Sequence, residues 1–152
     1  MARPHPLREL MKTPLPLISC QKRKCYRPTI YEVQETYNII NKYVFKNQLT
    51  RPPIEIGICR TYWGMCHGLY EETHPGTHCK IKLMDKWFCQ QWMVTTLAHE
   101  MVHQYEWDIL EKNMTHRQSF FIWRDRLAEF GIDLKTAHRQ RRWFKYQDFN
   151  KC

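Results

Sequence analysis

The sequence predicts an α+β fold with an N-terminal helix, a small three-stranded antiparallel sheet and two further helices that share one functional site. Residues 31–48 place apolar side chains at helical spacing, and residues 87–107 and 117–130 do so again. Between them, residues 54–83 contain short segments in which apolar and polar side chains alternate, as they do in half-buried strands. Short strands joined by short loops imply an antiparallel meander.

The first helix is predicted from four apolar side chains that share one face. These side chains are Val33, Tyr37, Ile40 and Val44. Two prolines at positions 52 and 53 then end the helical pattern, because proline cannot continue a helix. The predicted strands cover residues 54–58, 64–70 and 78–83.

Length and composition favour one folded domain, since the chain has 152 residues of which 43% are hydrophobic and 14% aromatic. It contains no run of about 18 apolar residues, so we expect no transmembrane helix and no membrane partner. The seven cysteines are odd in number and lack the spacing of a disulfide framework. This pattern indicates reduced thiols and a cytoplasmic protein.

The net charge of +9 is concentrated at the two ends of the chain. Residues 1–28 carry seven Lys or Arg against one Glu and contain five prolines, which predicts an extended or poorly ordered basic arm. Residues 135–152 carry six Lys or Arg against one Asp and form a basic, aromatic tail. The predicted domain, residues 29–134, is left with a net charge of −2. Basic ends of this kind are typical of tails that bind a polyanion, although they also serve solubility.

Basic and aromatic side chains are interleaved in the C-terminal tail, an arrangement that can bind a single-stranded nucleic acid. Lys and Arg neutralise phosphates, and aromatic rings stack on bases. The candidate DNA-binding residues are Lys22, Arg23, Lys24, Arg139, Arg141, Arg142, Trp143 and Lys145. The alternative is a C-terminal helix whose aromatic side chains pack on the domain. A DNA-bound protein would be associated with the nucleoid, or would work in the host cytoplasm if the chain is viral.

The residues suited to chemistry lie in the helix predicted over residues 87–107, in the stretch His99-Glu100-Met101-Val102-His103. Positions four apart share one face of a helix, so His99 and His103 can bind one zinc ion at about 2.0–2.1 Å each. Glu100 stands beside that ion and can take a proton from a water whose pKa the metal lowers toward about 7. The alternative is a solvated helix face with two histidines, but the apolar stripe in this segment indicates a half-buried helix.

A catalytic zinc ion usually has three protein ligands and one open position. His116 is the next histidine, and the helix predicted over residues 117–130 can fold it back onto the pair. Glu111 is a second candidate for the third ligand. Glu106 is a poor one, because it lies nearly two turns past His99, about 10 Å further along the helix axis.

These motifs resemble the SprT-like metalloprotease domain, the family of Spartan. Thr96-Leu97-Ala98 precedes the His-Glu-x-x-His motif, and His116 is followed by Ser119-Phe120-Phe121 and Trp123. Residues 43–54 resemble the family's entry into its first strand. The similarity covers about residues 30–134.

The resemblance implies that His99, His103 and His116 bind zinc and that Glu100 is the catalytic base of an endopeptidase. The family usually has glycines around the third histidine, where this chain has threonine and arginine. Many members also carry a four-cysteine zinc ribbon after the domain. This chain has only Cys152 there, so we expect a domain without the ribbon. Spartan-type proteases act on proteins attached to DNA. The resemblance therefore implies DNA-bound or crosslinked protein substrates, with single-stranded or damaged DNA as a partner.

Two other functions remain open from the sequence. One is a DNA-associated binding module in which the zinc ion is structural, although such a site has no use for a general base like Glu100. The other is a zinc hydrolase that acts on a substrate other than a peptide.

Overall fold

The computed structural model describes residues 3–12, 26–70 and 73–136. It has the α+β architecture that the sequence predicts. The elements in chain order are α1 (Pro6–Leu10), α2 (Ile30–Tyr43), β1 (Ile54–Gly57), β2 (Gly64–Gly68), β3 (Cys79–Met84), α3 (Gln90–Asp108), α4 (Gln118–Phe121) and α5 (Arg124–Ala128). None of the helices in these ranges is long and apolar enough to cross a membrane.

Helix α2 forms where its apolar face predicts it, but it ends five residues earlier than expected. The Thr29 side chain caps its first turn by accepting a hydrogen bond from the backbone N–H of Glu32 at 3.1 Å. Lys46 and Asn47 have φ values of 54° and 59°, in the left-handed region that a right-handed α-helix does not contain. The helix therefore cannot continue to residue 48, and it ends at Tyr43.

The sheet has the strand order β1-β3-β2 and is mixed, so the prediction of an antiparallel meander is wrong for one strand. β2 pairs antiparallel with β3 as predicted, whereas β1 pairs parallel with β3. Residues 58–63 lead the chain from β1 past the end of β3 to β2 on the opposite side of β3. The two outer strands are about two strand spacings, or 10 Å, apart. Alternation in sequence shows that a segment is a strand, but it does not show which strand lies beside it.

The short helix α1 lies inside the segment for which the sequence predicts an extended arm. It begins at Pro6, a favourable residue for a first turn, and its Leu7 side chain is completely buried. The side-chain amide of Gln91 donates to the carbonyl of Met11 at 2.7 Å, which ties this segment to α3. Five residues are too few to show a helical period, so this helix depends on its packing.

Helix α3 is the central element of the domain. Thirteen of its nineteen residues are buried, so its functional side chains lie inside the protein rather than on a solvated face. α2 packs against it, and the buried Tyr37 hydroxyl donates to the Gln104 side chain at 2.7 Å. On another side α3 packs against β2 and β3.

The predicted helix over residues 117–130 forms as two short helices, α4 and α5, with a turn at Ile122-Trp123. The Trp123 ring packs on Phe45 at 4.6 Å between centroids, which holds the turn against the core. Gly131 ends the segment as predicted, with φ at 82°. The side chains of Ile132 and Leu134 are buried, and the carbonyl oxygen of Lys135 then lies 3.0 Å from His99 on α3.

Candidate metal centre

Three histidine side chains meet beside α3. His99 and His103 are one turn apart on the helix, and His116 reaches them from the loop after it. Each pair of their Nε2 atoms is 3.1 Å apart. Among the described residues, they form the only group of three or more His, Cys, Asp or Glu side chains that can hold a metal ion.

The outer nitrogens of the two helical histidines show how the rings are protonated. His99 Nδ1 lies 3.0 Å from the carbonyl oxygen of Lys135, and His103 Nδ1 lies 3.0 Å from Oε1 of Glu106. A carbonyl and a carboxylate only accept, so both Nδ1 atoms carry the proton and both Nε2 atoms present lone pairs. Lone pairs that converge at 3.1 Å repel one another, and a cation between them removes this repulsion.

The spacing of the histidines fits zinc. Two nitrogen ligands of a tetrahedral zinc ion, each about 2.0–2.1 Å from the metal, are about 3.3–3.4 Å apart, close to the 3.1 Å observed here. His116 is exposed, whereas His99 and His103 are each 7% exposed. The site is therefore open to solvent on one side, as a catalytic site requires and a closed structural site does not.

Phe120 forms the apolar wall of the site. Its ring centroid is 4.7 Å from that of His99, 4.8 Å from His103 and 4.9 Å from His116. Because Phe120 is itself completely buried, its ring restricts the movement of the three imidazoles on the side that faces the core.

Glu100 is buried between α3 and β2. A Cβ atom on Gly64 would lie 2.7 Å from the Thr96 side chain and 3.2 Å from Cγ of Glu100. Strand β2 can therefore pack this closely against α3 only because Gly64 has no side chain. Burial raises the pKa of Glu100 to about 8, and a hydrogen bond from the Cys66 backbone opposes part of that rise. A cation on the adjacent histidines would also lower this pKa, because it favours the ionised carboxylate.

The family model for the SprT-like family matches residues 33–138 of the 152-residue chain. The chain belongs to the SprT-like family. It therefore contains a metalloprotease-type domain, and the matched region includes every residue of the histidine cluster. A comparison with curated proteins finds no match.

The structure separates the two candidates for the third ligand of this SprT-like site. His116 joins the pair on α3, as the resemblance implies. Glu111 lies outside the cluster, and its carboxylate packs against the turn between β2 and β3, where a Cβ on Gly76 would be 3.2 Å from its Oε1. All eight candidate DNA-binding residues fall outside the described residues.

Two contacts that complete the SprT-like site were not predicted. From the sequence Glu106 is only a poor candidate metal ligand, but its Oε1 accepts a hydrogen bond from His103 Nδ1 instead. A carboxylate three positions after a histidine on one helix is a signal that could have suggested this contact. The carbonyl of Lys135 gives no such signal, because any residue supplies a backbone carbonyl.

Proposed function

We propose that this protein is a zinc-dependent endopeptidase that is recruited to DNA and cleaves DNA-bound or crosslinked proteins. The observation that carries the peptidase proposal is the convergence of three histidine nitrogens next to a buried glutamate, with one side open to solvent. The donor set suits zinc, since imidazole is one of its preferred ligands.

In this proposal each side chain has a separate role. His99, His103 and His116 hold the zinc ion, and Lys135 and Glu106 keep two of these rings in the required tautomer. The chemistry that zinc supplies when bound is Lewis acidity, which lowers the pKa of water and polarises a carbonyl group. Glu100 accepts the proton of the attacking water and passes it to the leaving amine.

The open side of the site and the buried glutamate favour this function over a binding module with a structural metal. A structural zinc site is closed by four protein ligands and needs no general base. Here three histidines form the group and one of them is exposed.

The DNA part of the proposal is supported by charge and by where the C-terminal tail begins. The tail starts at Lys135, whose carbonyl contacts His99 at 3.0 Å. Four residues of chain span at most about 14 Å, so a polyanion bound at Arg139 would be tethered near the metal centre, together with any protein attached to it. The distribution of charge along the chain, which leaves residues 29–134 at −2, agrees with this arrangement.

Cleavage of casein with and without single-stranded DNA tests the proposal. We expect cleavage in both reactions, and faster cleavage of a DNA-bound protein when enzyme and substrate share one strand, because the strand raises their local concentration. Loss of all cleavage on chelation of zinc is the matched control. If cleavage depends on the metal but DNA does not accelerate it, even for a DNA-bound substrate, recruitment to DNA is contradicted. The protein would then be a zinc peptidase whose activity does not involve DNA.

Two variants of the tail test different parts of DNA binding. Replacing Arg139, Arg141 and Arg142 by Ala should flatten the dependence of log K on log salt by up to about two units, at roughly 0.7 per phosphate contact on a single strand. Trp143→Ala should instead cost about 1–3 kcal/mol of affinity with little change in that slope, since stacking releases no counterions. An arginine variant with unchanged slope and affinity would show that this tail does not contact DNA, and would direct attention to Lys22-Arg23-Lys24.

A further inference from the structure

Glu106 is a completely buried carboxylate near the end of α3, one turn beyond His103. Four hydrogen bonds reach its two oxygens. Oε1 accepts from His103 Nδ1 at 3.0 Å and from the backbone N–H of Thr115 at 3.1 Å. Oε2 accepts from the Thr115 hydroxyl at 3.0 Å and from the Ser119 hydroxyl at 2.5 Å.

These contacts join parts of the site that are far apart along the chain. His103 is a helical residue, whereas Thr115 directly precedes His116 in the loop after α3, and Ser119 lies in α4. The Glu106 carbonyl also accepts from the backbone N–H of Lys112 at 2.9 Å, which closes the start of the same loop. One residue therefore bonds to both ends of the loop that carries His116 and to the ring of another histidine.

We propose that Glu106 is the positioning residue of the metal centre. Its Oε1 fixes the tautomer and orientation of His103, and the Thr115 and Ser119 contacts place His116 against the helical pair. The inference rests on the proposed function in one respect, namely that the three histidines bind a metal ion. Glu106 is not itself a ligand, since it lies behind the His103 ring and outside the ligand group.

The chemistry of the contacts explains why a carboxylate occupies this position. All four partners donate to it, so both carboxylate oxygens have hydrogen-bond partners although the side chain is buried. A carboxylate behind an imidazole also increases the basicity of the nitrogen on the far side of the ring. The His103 Nε2 atom is thereby a stronger metal ligand than it would be with a neutral partner.

A purely structural role for Glu106 would have different consequences. Its loss would lower the stability of the metal-free protein, but a protein that still folded would bind metal with unchanged affinity and coordination geometry. A positioning role predicts a change in both metal affinity and geometry in a protein that remains folded.

Glu106→Gln tests this difference, because glutamine keeps the shape and an acceptor oxygen for His103 but removes the charge. We expect the variant to bind zinc about 10–100-fold more weakly than the original protein in competition with a chelator. With Co²⁺ in place of zinc, the visible absorption bands, which report ligand number and geometry, should shift in position or intensity. Glu111→Gln is the matched control. It makes the same chemical change five residues later, away from the histidines, and should change neither measurement.

Ser119→Ala and Thr115→Val keep the proposal testable if Glu106→Gln does not fold. Each removes one hydroxyl donor to Glu106 and leaves the contact with His103 intact, so each should weaken zinc binding on the order of threefold to tenfold. Glu106→Gln with zinc affinity within about twofold of the original protein and an unchanged Co²⁺ spectrum would overturn the proposal, as would unchanged affinity in both hydroxyl variants. Failure of the original protein to bind zinc would instead overturn the proposed function.

Discussion

Glu100→Gln is expected to lower the rate of peptide cleavage by a factor of at least about 10², while zinc stays bound. Glutamine has the same shape as glutamate and can still accept the hydrogen bond from the Cys66 backbone, so the packing between α3 and β2 should survive. It cannot accept a proton at neutral pH, so the attacking water is no longer activated by a base. The measurement is the rate of casein cleavage at equal zinc content.

Glu129→Gln is the control for that experiment. Glu129 is an exposed glutamate that pairs with Arg126 at 2.7 Å on the surface, so its loss should leave cleavage unchanged. Zinc content and circular dichroism of both variants show whether they remain folded and loaded. Cleavage at the original rate by a zinc-loaded Glu100→Gln protein would contradict the assignment of Glu100 as the base.

His116→Ala is expected to cause the largest loss of zinc affinity among variants outside α3. Loss of a partner that only orients a ligand costs about 10–100-fold in affinity, so loss of a ligand itself should cost more than about 100-fold. His99 and His103 would remain as a two-ligand site, which holds zinc poorly. The measurement is zinc affinity by chelator competition at neutral pH.

Glu111→Ala separates this result from a general effect on the loop. Both residues lie between α3 and α4, but the Glu111 side chain packs on Gly76 and not on the histidines. Its replacement should leave zinc affinity unchanged. If Glu111→Ala removes the metal and His116→Ala retains it, the third ligand has been assigned wrongly.

The parts of the fold that the sequence predicts are those governed by local periodicity. Val33, Tyr37 and Ile40 share the buried face of α2 because helical spacing places them there. The pairing of His99 with His103 follows from the same rule. His116 could be proposed from its place before an amphipathic segment, but only the folded chain shows that it reaches the pair.

The parts that the sequence does not predict depend on contacts between distant segments. The parallel pairing of β1 with β3 is set by the path of residues 58–63 past the end of β3. The alternation of apolar and polar side chains in the sequence does not reveal that path. Helix α1 is too short to show a period and is held by the burial of Leu7. The role of Glu106 depends on Thr115 and Ser119, whose approach to it is a consequence of the tertiary fold.

The proposed function requires that the three histidines bind the zinc ion on which peptide cleavage depends. Stepwise addition of zinc to the metal-free protein, with casein cleavage measured at each step, tests it most directly. We expect no cleavage without zinc. The cleavage rate should then rise linearly with added zinc and reach a plateau at about one zinc ion per chain. Glu100→Gln should stay at least about 10²-fold slower throughout the titration. Cleavage by the metal-free protein, or a rate that zinc does not change, would contradict the claim.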